Sequence, residues 1–309
     1  MAVTDSYRSP VSSRLVPRAV GGVLSLAVAA AGVAEAATAH AGAAALPSRL
    51  LPAPTALVPH IAAHPYVVRR TAHAPTDVWV SANVATVWIK PRRARRVDAL
   101  ALRTHPRIAR WISRQTLRQR EDLDTRVMTQ ALHGAEVVLI KRRDGWSKVR
   151  LPDQRGSGFP SGIVGWIPTR QLTTSPARHG ALRPSIRRHG TGLVALRLAR
   201  SYLGTRYLWG GMSSLGIDCS GLTYRVYRQL GVVLPRDAAD QSRVGRHVAR
   251  HALRVGDLVF FGSHNWRHVH HVGVYAGHGW LLHAPHTGTV VQVTRLRAFP
   301  DYWGARRIL

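Results

Sequence analysis

The chain has 309 residues, 45% of them hydrophobic, with 44 Lys+Arg against 15 Asp+Glu and a formal net charge of +29. That length can carry a sizeable core and suggests two domains, and the charge excludes a neutral surface and predicts attraction to polyanions. A single cysteine excludes a disulfide framework, an iron–sulfur cluster and a cysteine-based zinc finger.

Residues 1–41 combine Arg8, Arg14 and Arg18 with an apolar small-residue stretch from Ala19 to Ala34 and Ala-x-Ala pairs beyond it. This is the pattern of a secretory signal peptide, and the stretch is short of the roughly 20 residues a membrane span needs. An uncleaved anchor or a disordered Ala-rich tail is the alternative. Residues 42–76, rich in Ala, Pro and His, read as a linker. Residues 77–175 carry β-like runs, VWVSANVATVWIK, AEVVLIKRRDGWSKVRL and GIVGWIPTRQL, with Asp144-Gly145 as a hairpin signal. Together they predict a small β-barrel. An Arg-rich helical insertion is expected from about Asp98 to Arg126, with Leu100, Leu102, Ile108, Trp111, Ile112 and Leu117 as its apolar residues. Residues 176–190 have linker composition. From 191 to 309 two helices, Leu193–Leu203 and Cys219–Leu230, precede strands in VGDLVFF, HHVGVYAG, WLLHAP, TVVQV and WGARRIL, an α+β order with an antiparallel sheet.

Cys219 sits in GIDCSGL at the start of the second of these helices. Unpaired N–H groups at a helix N-terminus favour thiolate over thiol. A free cysteine is more often a buried packing residue, but Asp218 and Ser220 on either side are polar. A thiol nucleophile needs a base and a group to orient that base. If Gly277-His278-Gly279 forms a three-residue hairpin loop, His283 lies opposite Gly273 and diagonal to His271 on one sheet face, within side-chain reach. A two-residue loop would separate the two histidines.

The motifs YLGTRYLWGG, GIDCSGLTYRVYRQLG, LPRDAADQ, VGDLVFF, HHVGVYAG and LLHAP, in this order from about Thr191 onward, resemble the NlpC family of papain-like cysteine peptidases, which cut bacterial cell-wall peptides. The resemblance implies a catalytic set of Cys219, His271 and His283, with Tyr207 lining the oxyanion hole beside the Cys219 N–H. The strand motifs of residues 77–175 resemble the SH3-like domain of secreted γ-D-glutamyl-diaminopimelate endopeptidases, in which this domain packs against the catalytic cleft. That resemblance implies that Asp218 and Ser220 hold the amine end of the substrate and that Arg236 and Asp237 line the same cleft. Two departures, Ala238 where serine is frequent and His133 where tyrosine is frequent, bear on that recognition. Trp209, next to Tyr207, is expected to shape the groove.

No cofactor is implied. The seven histidines between His264 and His286 raise a zinc hydrolase as an alternative, against which stands the lack of an HExxH motif. A non-catalytic wall-binding protein is the other alternative. The expected partners are peptidoglycan stem peptides and, through the arginines, anionic wall polymers. Residues 42–189 hold 26 basic and 8 acidic residues, most densely from Arg92 to Arg120. Neither nucleic acid nor a membrane is expected as a partner. The expectation is a secreted or wall-associated monomer.

Overall fold

Alternating apolar residues build the first half as a sheet. The computed structural model describes residues 77–91, 94–175, 191–262 and 269–309, all within one compact unit, Val58–Leu309. The expected signal peptide and both linkers lie outside the described residues.

Strands β1 (Asp77–Val80) and β2 (Val84–Trp88) come from one apolar run broken at Ser81-Ala82-Asn83. After them come helices α1 (Ile108–Arg114) and α2 (Leu117–Glu121), then β3 (Val127–Leu132), β4 (Glu136–Arg143), β5 (Trp146–Leu151), β6 (Ile163–Pro168) and β7 (Leu172–Thr173). Asp144 and Gly145 join β4 to β5 with φ of 50° and 77°, the left-handed pair that a tight hairpin requires. The sheet runs β3-β2-β6-β5-β4-β1-β7 and is antiparallel throughout. Among the described residues it does not close on itself. β7 has only two residues and pairs with β1 alone, so it cannot bridge back to β3.

The insertion is several short helical pieces, because Pro106 and the Gln115-Thr116 break stop any long helix. Its inner face buries Ile108, Trp111, Ile112 and Leu123. Leu117, expected on that face, is 49% exposed. Asp98 is wholly buried and satisfied by the Arg95 guanidinium and the Trp111 indole N–H.

The second half opens with α3 (Gly192–Arg200), a short hairpin of β8 (Met212–Ser213) and β9 (Gly216–Ile217), then α4 (Cys219–Gln229) and α5 (Ala238–Gln241). Gly231, with φ of 81°, ends α4 as expected. Strands β10 (Arg246–Val248), β11 (Leu258–Gly262), β12 (Val269–Gly277), β13 (Trp280–His283), β14 (Gln292–Arg295) and β15 (Tyr302–Arg307) form an antiparallel sheet ordered β10-β15-β11-β12-β13-β14. The period-2 alternation sorts side chains to two faces. Leu258, Phe260, Val272, Val274 and Leu282 pack under α3 and α4 with Leu222, Val226 and Tyr227. Val259, Phe261 and Leu281 face the other way, toward Leu296 and Ala305.

The two halves share a core. Leu208 packs in the cluster of Trp88, Trp111 and Ile112. The Trp209 indole N–H donates to the Val127 carbonyl at 3.1 Å, and the Met212 N–H donates to Gln130 Oε1 at 3.1 Å.

Candidate active site

Asp218 caps α4, its Oδ1 accepting from the Gly221 N–H at 2.6 Å, and so fixes Cys219 as the first helical residue. Gly221 is required here, since a Cβ would run into the Gly211 carbonyl. The Val272 N–H of β12 points at the Cys219 sulfur, which places the thiol beside the strand that carries His271.

His283 lies opposite Gly273, as the hairpin count expects. The turn itself is different. It has two residues, His278 and Gly279, and Ala276 is an extra residue bulged out of β12, which restores the register. His271 and His283 therefore share a face, diagonal to one another, with His271 Nε2 2.8 Å from His283 Nδ1. Gly273 keeps the space between them open, because a Cβ there would strike the His283 Cβ. The His271 ring stacks on Phe299 and leans on Phe261.

A residue that sequence reasoning missed completes the line. Thr294 on β14 is diagonal to His283, and its Oγ1 lies 3.0 Å from His283 Nε2. With Thr294 accepting from His283 Nε2–H, His283 Nδ1 must accept from His271 Nε2–H. His271 Nδ1 is then the bare nitrogen left for the thiol. Two hairpin registers in succession would have pointed to Thr294. The second rests on the loop between β13 and β14, whose geometry the residues do not dictate.

The charge state of the thiol departs from expectation. Burial pushes the Cys219 thiol up to about 12, and the Asp218 carboxylate adds to the rise; the Val272 and Ser220 N–H groups and Arg236 oppose it without prevailing. The polar neighbours offered no exposure either, for Asp218 and Ser220 are themselves buried. Burial also lowers His271 to about 3, helped by His283, and lowers His283 to about 4, helped by His286. At neutral pH the resting site holds a thiol and neutral imidazoles. Tyr207 is buried near Cys219, and desolvation holds its phenol far above the usual range, so it stays a neutral donor.

Asp218, Ser220 and Arg236 form a buried cluster. Arg236 Nη2 meets Asp218 Oδ2 at 2.6 Å, while Nη1 meets Asp218 Oδ1 at 3.1 Å and Ser220 Oγ at 2.9 Å. Its Nε donates to Thr129 Oγ1 of β3 at 2.9 Å, and Thr129 in turn donates to Gln154. The polar atoms of these three residues are thus turned to one another. Asp237, adjacent in sequence, keeps a solvent-exposed carboxylate with no ion pair among the described residues. Desolvation by the surrounding protein nevertheless raises its pKa, with the Arg236 charge opposing. Trp209 is 41% exposed beside β3. His133 is exposed, with Nδ1 3.0 Å from the Ser81 carbonyl. Among the described residues no group of three or more His, Cys, Asp or Glu is placed to hold a metal ion.

Comparison with known proteins finds relatives for both halves of the chain. The NlpC/P60 family profile matches residues 204–308, and that of the bacterial dipeptidyl-peptidase Sh3 domain matches residues 117–172. A γ-D-glutamyl-L-lysine dipeptidyl-peptidase of Bacillus subtilis is 28% identical over 274 residues, covering 70% of this chain and 93% of the relative. A probable endopeptidase of Corynebacterium glutamicum is 33% identical over 150 residues, covering 47% of this chain and 70% of the relative. The crystal structure of an NlpC/P60 family protein from Bacillus cereus superposes with a TM-score of 0.70 at 25% identity, covering 75% of this chain and 99% of the other. The chain belongs to the NlpC/P60 family and carries a bacterial SH3 domain ahead of its thiol-bearing half.

Proposed function

We propose that the protein is a cysteine peptidase that hydrolyses peptidoglycan stem peptides, at the bond between γ-D-Glu and the diamino acid. The observation that carries this reading is a thiol at a helix N-terminus, held to β12 by the Val272 N–H, beside the hydrogen-bonded run His271, His283, Thr294. The names of its relatives supply the substrate class. Its bounds are residues 77–175 for the SH3-like domain and 191–309 for the peptidase domain, after a signal peptide 1–41 that directs export.

In the proposed mechanism, His271 Nδ1 takes the Cys219 proton as Sγ attacks the scissile carbonyl carbon. The Cys219 N–H and the Tyr207 hydroxyl donate to the tetrahedral oxyanion. Collapse breaks the C–N bond, and His271 returns its proton to the leaving amine. Water, deprotonated by His271, then attacks the thioester; the free acid leaves and the thiol is regenerated. Asp237 is the carboxylate positioned to take the ammonium of the substrate's amino end. Asp218 and Arg236 act behind the helix start, and Trp209 borders the groove.

Digestion of purified muropeptides by wild type and Cys219→Ala, read by mass spectrometry, tests the reading. Wild type should release the γ-D-Glu terminus and the variant nothing. Equal product from both would end it. Intact wall binding with no cleavage by wild type would favour the non-catalytic alternative.

The relay predicts a graded effect at Thr294. Thr294→Val removes the acceptor that sets the His283 tautomer, and kcat should fall about tenfold with KM little changed; Thr294→Ser should restore most of it. Steady-state kinetics on a soluble muropeptide would show this. Equal loss in both variants would mean that packing, not the hydroxyl, matters.

A further inference from the structure

At the far end of the β12–β13 hairpin from the histidines, a depression of about 280 Å³ is lined by Arg250, Leu253, Tyr275, Arg295, Leu296 and Arg297. It is smaller than the roughly 300–1,000 Å³ of sites for drug-sized ligands, and fits one compact group. Three guanidinium groups converge there with no acidic partner. Residues 190–309 contain five carboxylates, and each is held elsewhere. Asp218 pairs with Arg236, Asp240 with Arg243, Asp257 with Arg307 and Asp301 with His270, while Asp237 belongs to the cleft. No ion pair to Arg250, Arg295 or Arg297 occurs among the described residues.

Two of the three guanidiniums are held in place by aromatic rings. Arg295 lies 3.8 Å from the Trp280 ring centroid and Arg250 4.8 Å from that of Tyr302. Stacking fixes the guanidinium plane, and although Arg295 Nη1 donates to the His278 carbonyl at 3.4 Å, the remaining N–H groups are left for an anion, so little side-chain freedom is lost on binding. The Tyr275 hydroxyl accepts from the Gly279 N–H at 3.0 Å, and its proton has no acceptor among the described residues. Guanidinium donors of this kind pair with the oxygens of an anionic group such as phosphate.

We propose that this depression binds a phosphate group, and that its occupant is a phosphodiester repeat of an anionic polyol polymer. An open site gains little from a lone phosphate against solvent. A repeating chain adds contacts along the exposed basic surface that continues through Arg254, and gains by multivalency. The site is independent of the peptidase reading, because binding can be measured with the thiol removed.

The test uses full-length Cys219→Ala protein, titrated by calorimetry at low salt with sodium phosphate, a glycerol-phosphate oligomer and a DNA oligonucleotide of matched charge. The oligomer should bind at least about tenfold more tightly than inorganic phosphate. In the same background, Arg250→Gln/Arg295→Gln/Arg297→Gln should weaken oligomer binding by at least about tenfold. Arg107→Gln/Arg110→Gln/Arg114→Gln removes the same charge from α1 and the residue preceding it and should weaken it less than about threefold. Arg297→Gln alone, which breaks no hydrogen bond among the described residues, should lower affinity about threefold and carries the test should the triple variant fail to fold. Equal losses in the two triples, or oligomer binding no tighter than phosphate, would overturn the site. Equal or tighter binding of DNA would overturn the polyol-phosphate assignment in favour of nucleic acid.

Discussion

Replacing His271 with alanine should lower kcat/KM on a soluble muropeptide by about 10³–10⁴-fold, with most of the fall in kcat. The base contributes typically 10²–10⁴-fold by itself, and here it also has to generate the nucleophile, because burial holds the Cys219 thiol protonated at up to about 12. His283→Ala should cost about 10²-fold, since it orients the base without touching the reacting atoms. The reverse order of severity would exchange their roles. The same charges set a pH dependence. His271 and His283 are lowered to about 3 and about 4 from an ordinary value near 6.5. A base that stays neutral well below pH 6 keeps the acid limb of kcat/KM near pH 4, and a limb near 6.5 would contradict the buried neutral pair. The unfolded chain takes up protons on both histidines as pH falls through 6.5 while the folded chain does not. Folding stability is therefore full above 6.5 and falls between 6.5 and about 3, by at most about 1.4 kcal/mol per pH unit for each histidine. Urea midpoints at pH 7, 5.5 and 4.5 would check the sign.

Arg236→Met should destabilise the folded protein by about 3–5 kcal/mol and remove nearly all activity. The substitution leaves the Asp218 carboxylate buried without its bidentate partner, and breaking one side of a buried pair costs that much. Activity goes with it because Asp218 caps the helix that starts at Cys219. The double variant Asp218→Asn/Arg236→Met should recover about half of the lost stability, since it removes the stranded charge but not the lost hydrogen bonds. Urea denaturation of the three variants gives the coupling. A loss below about 1 kcal/mol in Arg236→Met would mean the pair is solvated.

The elements bearing the site were legible where local pattern decides structure. The α4 start at Cys219 and its end at Gly231 follow from caps, whereas the opposition of His283 to Gly273 rests on the Ala276 bulge, which offsets the two-residue turn and which alternation does not show. What was not legible depends on segments distant in sequence. Thr129 meets Arg236 from 107 residues away, and nothing around either residue announces the other. The resemblance implies a cleft role for Arg236 and Asp218, and in the fold they are buried and paired with each other, with Arg236 also bonded to Thr129 of β3. The thiol's ionisation was misjudged for a similar reason. The helix N-terminus is visible in GIDCSGL, but the burial that outweighs it depends on the folded surroundings of the sulfur.

Ala276, the extra residue in β12, has a consequence for how such proteins can diverge. The turn lies about 20 Å from His271, six residues along an extended strand, and it makes no contact with the reacting groups. With the bulge and the two-residue turn both kept, loss or gain of a residue within one strand would rotate His283 to the opposite face and part it from His271, whereas loss of Ala276 itself leaves Gly273 opposite His283. The turn needs residues that tolerate the left-handed backbone of His278 and Gly279. Length variation in this hairpin is therefore absorbed at the bulge, or by one insertion compensated by another. Residue count at a remote turn constrains the chemistry as firmly as the identity of the histidines.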